Sequence, residues 1–351
     1  MRASPTCGPQ VDEVAACFTV ADTGYERVAL AHELVRPRTL PFTRRGTRWE
    51  LRLERPDVDR LEYLLELEHG DGGVDRVPDP DNPLRAPGPF GEKSVVEFPG
   101  YAPPAWTADD RAPRGRLVEL ALPSRLLRTQ VEALLWSASD TDPSEPLPLL
   151  VVHDGPEFAR YSELLRLCDH LVASGETPPF RAALLPPPDD RSETYSASAR
   201  YARALSEEWA PALRHAAPYD RGPVGLGASL GALALAHAHW THPGLFGGLF
   251  LQSGSFFRRR LDAHEARFPR FARITRFVST MVGGRKSPEP IPLTFTVGTG
   301  EENLANNRVV AAALRGQGWD VRLFEHPDAH NWTSWRDSLH PHVAELLSRA
   351  A

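Results

Sequence analysis

Residues 224–236 constrain the fold of this chain more than any other stretch. An apolar segment that begins at Val224 runs into the pattern Gly-x-Ser-x-Gly at residues 227–231, and the residues that follow are rich in alanine and leucine. This order predicts a strand, a tight turn and a helix, with Ser229 exposed at the turn. Gly227 and Gly231 leave space where such a turn is too tight for a Cβ atom. The stretch therefore predicts a nucleophile elbow.

Strands and helices alternate on both sides of this elbow, over residues 117–351. Runs that are apolar throughout are typical of strands buried on both faces of a mainly parallel sheet. Their alternation with helical patterns predicts a doubly wound α/β domain. The predicted strands cover residues 131–136, 147–152, 181–186, 224–228, 245–251, 292–297 and 321–324.

The upstream residues have a different pattern. Short runs that alternate apolar and charged residues, broken by Pro and Gly, predict a small antiparallel β-sandwich over residues 21–115. Residues 1–20 are punctuated by Pro and Gly and predict a loose N-terminal arm. The Pro- and Arg-rich residues 99–116 predict a domain boundary, so we expect the α/β domain to occupy residues 116–351.

Composition and net charge indicate which classes of binding partner and cofactor to expect. The net charge of −6 gives no reason to expect nucleic acid or an anionic membrane surface. Cys7, Cys17 and Cys168 are odd in number and lack Cys-x-x-Cys spacing, so we predict neither a disulfide framework nor a zinc site, and no cofactor. The N-terminus has no apolar signal segment, and no run approaches the ~20 apolar residues of a membrane helix. We expect a cytoplasmic protein that acts on a small-molecule substrate.

Candidate acid and base residues follow the last two predicted strands. One strand leads into Glu301 and Glu302, and the next leads towards His330. The carboxyl ends of parallel strands share one edge of the sheet with the elbow. A serine hydroxyl needs a base that accepts its proton and an acid that orients the base, and α/β-hydrolases use the chain order Ser, acid, His. The expected triad is Ser229, Glu301 and His330, with Glu302 as the alternative acid.

Other residues of the right type remain open as alternatives. His326 lies close to the end of its strand and precedes Pro327, and Asp328 is a further candidate acid. His239 and His242 share a face of the helix after the elbow and have the spacing of metal ligands. The sequence offers no third ligand beside them, so we predict no metal site.

An oxyanion needs two backbone N–H donors. Leu230, directly after Ser229, supplies one at the start of the predicted helix. The second is expected from the loop after an earlier strand, at Gly155 or alternatively Asp154, because Pro156 has no N–H. The same Asp-Gly-Pro sequence is also common in ordinary turns.

These motifs together resemble the enterochelin (ferric-siderophore) esterase-like branch of the esterase D-like α/β-hydrolase family. The matching stretches are residues 146–155, 191–196, 227–231, 251–256, 298–302 and 330–336. The upstream β pattern resembles the immunoglobulin-like N-terminal domain of those esterases more weakly. The resemblance implies Ser229 as nucleophile, His330 as base and Glu301 at the acid position, where the family often carries Asp. This sequence departs from the family's pattern at residues 328–331, which are Asp-Ala-His-Asn where Gly-Gly-His-Asp is usual.

The resemblance implies a serine esterase that hydrolyses carboxylic esters through an acyl-enzyme, with a siderophore-type lactone as substrate. An acyltransferase with the same triad, an esterase for acylated sugars or aromatic esters, and a non-catalytic binding scaffold are the alternatives. Residues 255–290 are rich in arginine, which suits either an anionic ligand or a solvated helix face. Arg258 and Trp335 are the expected substrate contacts.

Overall fold

A computed structural model describes residues 8–35, 37–109, 115–285 and 287–350 of the chain. These residues belong to two compact units. The first unit takes in Met1–Pro103, Gly298–Glu302 and His326–Ser334, and the second takes in Pro104–Val297, Asn303–Glu325 and Trp335–Ala351.

The first unit contains two antiparallel sheets. Its strands are β1 (Gln10–Val11), β2 (Ala15–Ala21), β3 (Arg27–His32), β4 (Thr39–Pro41), β5 (Thr43–Arg45), β6 (Arg48–Glu54), β7 (Arg60–Glu68), β8 (Val74–Val77), β9 (Arg85–Ala86) and β10 (Lys93–Glu97). Within the described residues, one sheet has the order β1-β2-β6-β5 and the other β4-β3-β7-β10-β9, with β8 paired to β7. Phe18 of β2 packs edge-on against Tyr63 of β7, with ring centroids 5.1 Å apart. Both rings lie in the buried core of the unit, so the predicted sandwich is confirmed.

The loose arm predicted for residues 1–20 is wrong from Gln10 onward. β1 pairs with β2, and β2 pairs along its whole length with β6. The reason lies in the alternation within β2, where Ala16, Phe18 and Val20 are buried and give the segment a core face. Residues 1–7 of the predicted arm lie outside the described residues.

The second unit is built on a mixed sheet. Its strands are β11 (Arg116–Ser124), β12 (Thr129–Ser137), β13 (Leu149–His153), β14 (Arg181–Leu185), β15 (Val224–Ala228), β16 (Gly248–Gln252), β17 (Leu293–Gly298) and β18 (Val321–His326). Over the described residues the order is β11-β12-β14-β13-β15-β16-β17-β18. β11 and β12 are antiparallel to their neighbours, whereas β14, β13, β15, β16 and β17 are mutually parallel. The predicted α/β-hydrolase sheet is confirmed.

Helices connect these strands or follow the last of them. They are α1 (Gly155–Tyr161), α2 (Leu164–Ala173), α3 (Arg191–Tyr195), α4 (Ala199–Ala204), α5 (Ala210–Ala216), α6 (Leu230–Thr241), α7 (Phe271–Val282), α8 (Leu304–Gly316), α9 (Trp332–Asp337) and α10 (His342–Arg349). β13, β14, β15, β16 and β17 are buried along their whole length, which explains their largely apolar sequences. None of the helices in the described part of the chain is long and apolar enough to cross a membrane.

The loops that follow β17 and β18 belong to the first unit, although the sequence places them inside the predicted domain 116–351. The backbone N–H of Val35 donates to the carbonyl of Gly300 at 3.1 Å, and that of Asp59 donates to the carbonyl of Pro327 at 2.7 Å. Hydrogen bonds between residues so distant in sequence cannot be read from local patterns, which is why the expected boundaries miss them.

Candidate active site

Ser229 occupies the turn between β15 and α6. Its backbone has φ 54° and ψ −121°, a strained conformation for a residue with a side chain. A Cβ atom on Gly227 would lie 2.8 Å from the carbonyl carbon of Gly231, so the turn requires glycine there. The backbone N–H of Ser229 donates to the carbonyl of Gln252 on the neighbouring strand at 2.9 Å. These contacts hold the predicted elbow in place.

The hydroxyl of Ser229 lies beside a second serine. Its Oγ is 3.0 Å from Oγ of Ser255, and the backbone N–H of Ser255 donates to the Ser229 carbonyl at 3.1 Å. Ser255 is buried, in the loop after β16. The sequence alone indicates no role for Ser255, because nothing in a Gly-Ser-Phe sequence shows which way a hydroxyl points.

Glu301 and His330 form a hydrogen-bonded pair. Nδ1 of His330 donates to Oε2 of Glu301 at 2.9 Å, and the other carboxylate oxygen, Oε1, accepts the backbone N–H of Gly298 at 2.8 Å. The Glu301 side chain is fully buried, whereas that of His330 is 32% exposed. The pair leaves Nε2 of His330 as the nitrogen that can accept a proton. Both residues lie in the first unit and Ser229 lies in the second.

Glu302 turns to a different partner. Arg38 binds its carboxylate with Nη2 at 2.7 Å and Nε at 3.2 Å, a bidentate pair on the protein surface. Adjacent loop residues point in different directions, and here they separate into a buried partner of histidine and a surface ion pair.

The alternative acid and base are engaged elsewhere in the loop after β18. Oδ1 of Asp328 accepts the backbone N–H of Ala329 at 2.6 Å and the side-chain amide of Asn331 at 3.1 Å. Burial raises the pKa of Asp328 to about 7, against the opposing effects of the Ala329 N–H and the Arg60 charge. Nε2 of His326 lies 2.8 Å from Oγ of Ser334. Both residues therefore shape the loop that carries His330.

A chain of buried charges in the first unit adjoins this loop. Arg60 pairs with Glu62 at 2.8 Å, and Lys93 pairs with Glu62 at 3.3 Å and also with Glu33. Burial raises the pKa of Glu33 to about 7, while Lys93 and His330 act in the opposite direction.

The loop after β13 carries the candidate oxyanion donors. Asp154 has a left-handed backbone at φ 51°, and α1 begins at Gly155. Arg191 binds the buried Asp154 carboxylate with Nη2 to Oδ2 at 2.7 Å and Nε to Oδ1 at 3.0 Å. Nη2 of Arg191 also lies 3.5 Å from the carbonyl of Ala228, directly before the elbow serine. Arg191, for which the sequence alone indicates no role, thus joins the loop of the candidate oxyanion donors to the elbow.

His153 contacts the first turn of α6, next to the elbow. It is fully buried, and burial lowers its pKa to about 4, so the ring is neutral. Because the carbonyl of Gly231 can only accept, Nδ1 of His153 donates to it at 3.2 Å, and Nε2 accepts the hydroxyl of Tyr201 at 2.9 Å. The ring stacks on Tyr195 with centroids 4.9 Å apart. His153 is a positioning residue for the start of α6.

Trp335 is placed differently from the expectation. Its side chain is buried, and its indole N–H donates to Oγ of Ser253 at 3.0 Å. This contact favours a packing role behind the loop after β16 over direct contact with substrate.

The arginine-rich residues 255–290 separate into two groups. Arg270 and Arg273 both bind the carboxylate of Glu193, the latter at 2.7 Å, so they serve intramolecular contacts. Arg258 is half-buried and stays a predicted substrate contact, while Arg259 and Arg260 are exposed. Lys286 lies outside the described residues.

The histidines of the elbow helix are packing residues. Burial lowers the pKa values of His237 and His239 to about 4. The His237 ring packs edge-on against Phe277, with centroids 4.9 Å apart.

Comparison with solved structures shows that the fold of this chain is similar to the folds of several esterases. A ferulic acid esterase covers 68% of this chain with a TM-score of 0.55 at 17% identity, and all of that esterase is matched. The fold of enterobactin esterases is similar to this chain over the residues of both units. The enzyme from Shigella flexneri, solved in the presence of enterobactin, has a TM-score of 0.77 at 20% identity over 97% of this chain and 96% of its own. The enzyme from Salmonella typhimurium has a TM-score of 0.76 at 19% identity over the same shares.

The sequence comparisons agree with the structural ones. Over 279 residues, 74% of this chain, it is 26% identical to the iron(III) enterobactin esterase of Dickeya dadantii strain 3937. The matched region spans 62% of that relative's length. No family model matches the chain. The resemblance to enterochelin esterases and the fold that it implies are thereby confirmed.

Proposed function

We propose that the protein is a serine esterase that hydrolyses carboxylic esters through an acyl-enzyme, with Ser229 as nucleophile, His330 as general base and Glu301 as the acid that orients it. The observation that carries this proposal is the buried Glu301–His330 hydrogen bond of 2.9 Å, on the loops that follow β17 and β18. The strained backbone of Ser229 at the strand–helix turn supplies the second part of the constellation.

The mechanism follows from these roles. Oγ of Ser229 attacks the ester carbonyl and loses its proton to Nε2 of His330, while Glu301 stabilises the imidazolium through Nδ1–H. The tetrahedral oxyanion receives N–H bonds from Leu230 and from Gly155 or Asp154. Collapse expels the alcohol, which takes the proton from His330 and leaves an acyl-enzyme. Water, deprotonated by His330, then attacks the acyl carbon and releases the carboxylic acid and free Ser229.

We propose a catecholate siderophore lactone as the substrate class. Relatives of the same fold were solved in the presence of enterobactin and of 2,3-dihydroxy-N-benzoyl-serine. In this chain, exposed Arg259 and Arg260 follow Arg258 in the loop after β16 and suit a polyanionic iron–catecholate complex. Iron is cargo of such a substrate, and no step of the ester cleavage uses it.

Active-site labelling tests the nucleophile. A fluorophosphonate probe should label the protein at Ser229, and Ser229→Ala should abolish both labelling and hydrolysis of p-nitrophenyl esters. Undiminished hydrolysis by Ser229→Ala would refute the assignment, and a wild-type protein that neither reacts with the probe nor cleaves any ester would favour a non-catalytic scaffold.

Competition between substrates tests the proposed class. We expect a higher kcat/KM for enterobactin, free or iron-loaded, than for methyl ferulate or acetylated sugars, with chromatographic detection of the linear products. A preference for ferulate would instead favour the aromatic-ester alternative. Acyl transfer to added alcohol that exceeds hydrolysis would favour an acyltransferase. A cytoplasmic location stays a prediction, which fractionation of the producing cells would test.

A further inference from the structure

Two histidines and a glutamate of the second unit converge beyond the C-terminal end of α2. His170 lies in the last turn of α2, Glu176 in the loop that follows, and His340 in the segment before α10. Nε2 of His340 is 2.8 Å from Oε2 of Glu176, and Nε2 of His170 is 3.5 Å from Oε1 of the same carboxylate. One ligand atom of each residue lies within 4.8 Å of those of the other two. None of the three has a role in the proposed ester cleavage.

Further contacts orient this cluster. Asp109 Oδ2 lies 3.1 Å from Nδ1 of His170, which directs the Nε2 of that ring towards Glu176. A carboxylate on the remote nitrogen is the usual partner of a metal-binding histidine, because it fixes the tautomer and makes the ligating nitrogen more basic. The hydroxyl of Ser174 donates to Oε1 of Glu176 at 3.0 Å. The rings of His170 and His340 stand nearly perpendicular, with centroids 6.1 Å apart.

We propose that His170, Glu176 and His340 bind a divalent transition-metal ion of the Zn²⁺ type. Two imidazoles with one carboxylate suit such an ion, whereas Mg²⁺ and Ca²⁺ prefer oxygen ligands alone. In a tetrahedral zinc site, ligand atoms about 2.0–2.1 Å from the metal are about 3.4 Å from one another. Nε2 of His340 lies 2.8 Å from Oε2 of Glu176 and Nε2 of His170 lies 3.5 Å from Oε1, so both imidazoles face the one carboxylate at separations near that value. Water would occupy the remaining position.

Hydrogen bonds with His340 at 2.8 Å and Ser174 at 3.0 Å hold the Glu176 carboxylate towards the two imidazoles. An ion at this position would join the end of α2 to a segment about 170 residues further along the chain, which is the placement of a structural clasp.

The direct test measures zinc binding to the full, untagged chain. Equilibrium dialysis followed by elemental analysis should give one Zn²⁺ per chain. His170→Gln, Glu176→Gln and His340→Gln should each weaken binding at least tenfold, and Asp109→Asn should weaken it by about 10–100-fold because it acts through His170. His69→Gln is the matched control, since Nε2 of His69 pairs with Asp75 at 2.9 Å in the same manner but belongs to no such cluster among the described residues.

A spectroscopic arm distinguishes this site from adventitious binding. Co²⁺ should give the visible absorption of a low-coordinate nitrogen–oxygen site, Zn²⁺ should displace it, and excess Mg²⁺ should not. Circular dichroism establishes whether each variant is folded. If a histidine variant is unfolded, the isosteric Glu176→Gln variant provides the test of binding instead. Zinc binding that persists unchanged in the His170→Gln/His340→Gln double variant, or no binding by the wild type at a molar excess of zinc, would overturn the proposal.

Discussion

Replacement of Glu301 by glutamine gives the sharpest test of the proposed acid. The two carboxylate oxygens of Glu301 face two donors, the N–H of Gly298 at 2.8 Å and Nδ1–H of His330 at 2.9 Å. A glutamine has one acceptor and one donor group, so it can satisfy only one of these contacts. If its oxygen stays on Gly298, its NH₂ group faces His330 and forces the proton onto Nε2. The imidazole then cannot accept the proton of Ser229.

The opposite orientation keeps the reactive tautomer at a cost. It sets the NH₂ group against the N–H of Gly298 in a site where Glu301 is 2% exposed, and an unsatisfied buried donor costs about 1–3 kcal/mol. The charge-assisted bond to the imidazolium is lost as well, which costs about 1.5–3 kcal/mol. Together these effects predict that kcat falls by about 10²–10⁴-fold in Glu301→Gln, within the range known for orienting carboxylates.

Glu302→Gln is the matched control. It removes the same charge from the neighbouring residue and breaks the ion pair with the exposed Arg38, which contributes about 0–1 kcal/mol to stability. The assay is kcat and kcat/KM for a p-nitrophenyl ester across the pH range in which histidine titrates. We expect Glu302→Gln to keep wild-type kinetics and Glu301→Asp to keep more activity than Glu301→Gln. Near-normal activity of Glu301→Gln, or an equal loss in both glutamine variants, would refute the reasoning.

Three further outcomes are expected. Arg191→Met leaves the buried Asp154 carboxylate without its bidentate partner. We expect kcat to fall roughly tenfold with little change in KM, a smaller loss than the about 10²–10³-fold that follows removal of an oxyanion donor. A change in KM as large as the change in kcat would argue against a positioning role. Asp328→Asn should alter the pH dependence of unfolding. The folded-state pKa of about 7 lies above the usual 3.8, so the wild type binds a proton more tightly when folded and loses stability as pH rises between those values, whereas the asparagine variant does not. A difference between the urea midpoints of the two proteins that is the same at pH 5 and at pH 8 would contradict this. Ser255→Ala removes the hydroxyl 3.0 Å from Ser229 Oγ and should lower the rate of fluorophosphonate labelling several-fold without abolishing it, as rapid-quench kinetics would measure.

Much of the site was predictable because its demands are local. A strand that ends in Gly-x-Ser-x-Gly before a helix leaves few conformations for Ser229, and its φ of 54° is strained, as such a turn requires. The largely apolar sequences of β13 to β17 likewise predicted a sheet buried on both faces. The positions of Glu301 and His330 after consecutive strands followed from the chain order alone.

Other features depend on contacts between residues far apart in the chain. Only the direction of two adjacent side chains separates Glu301, buried on His330, from Glu302, paired with Arg38 across more than 260 positions. Trp335 is an expected substrate contact in the sequence, yet its side chain is buried and its indole N–H donates to Ser253.

The sequence by itself determined the strand–helix alternation and the strained serine turn, because both depend on neighbours in the chain. Tertiary structure decided which carboxylate hydrogen-bonds to the histidine and which arginines form ion pairs with Glu193. It also decided that the loops of Glu301 and His330 belong to the first unit. The physical reason is that hydrogen-bond partners and burial are set by the packing of distant segments, on which residue type and spacing carry little information.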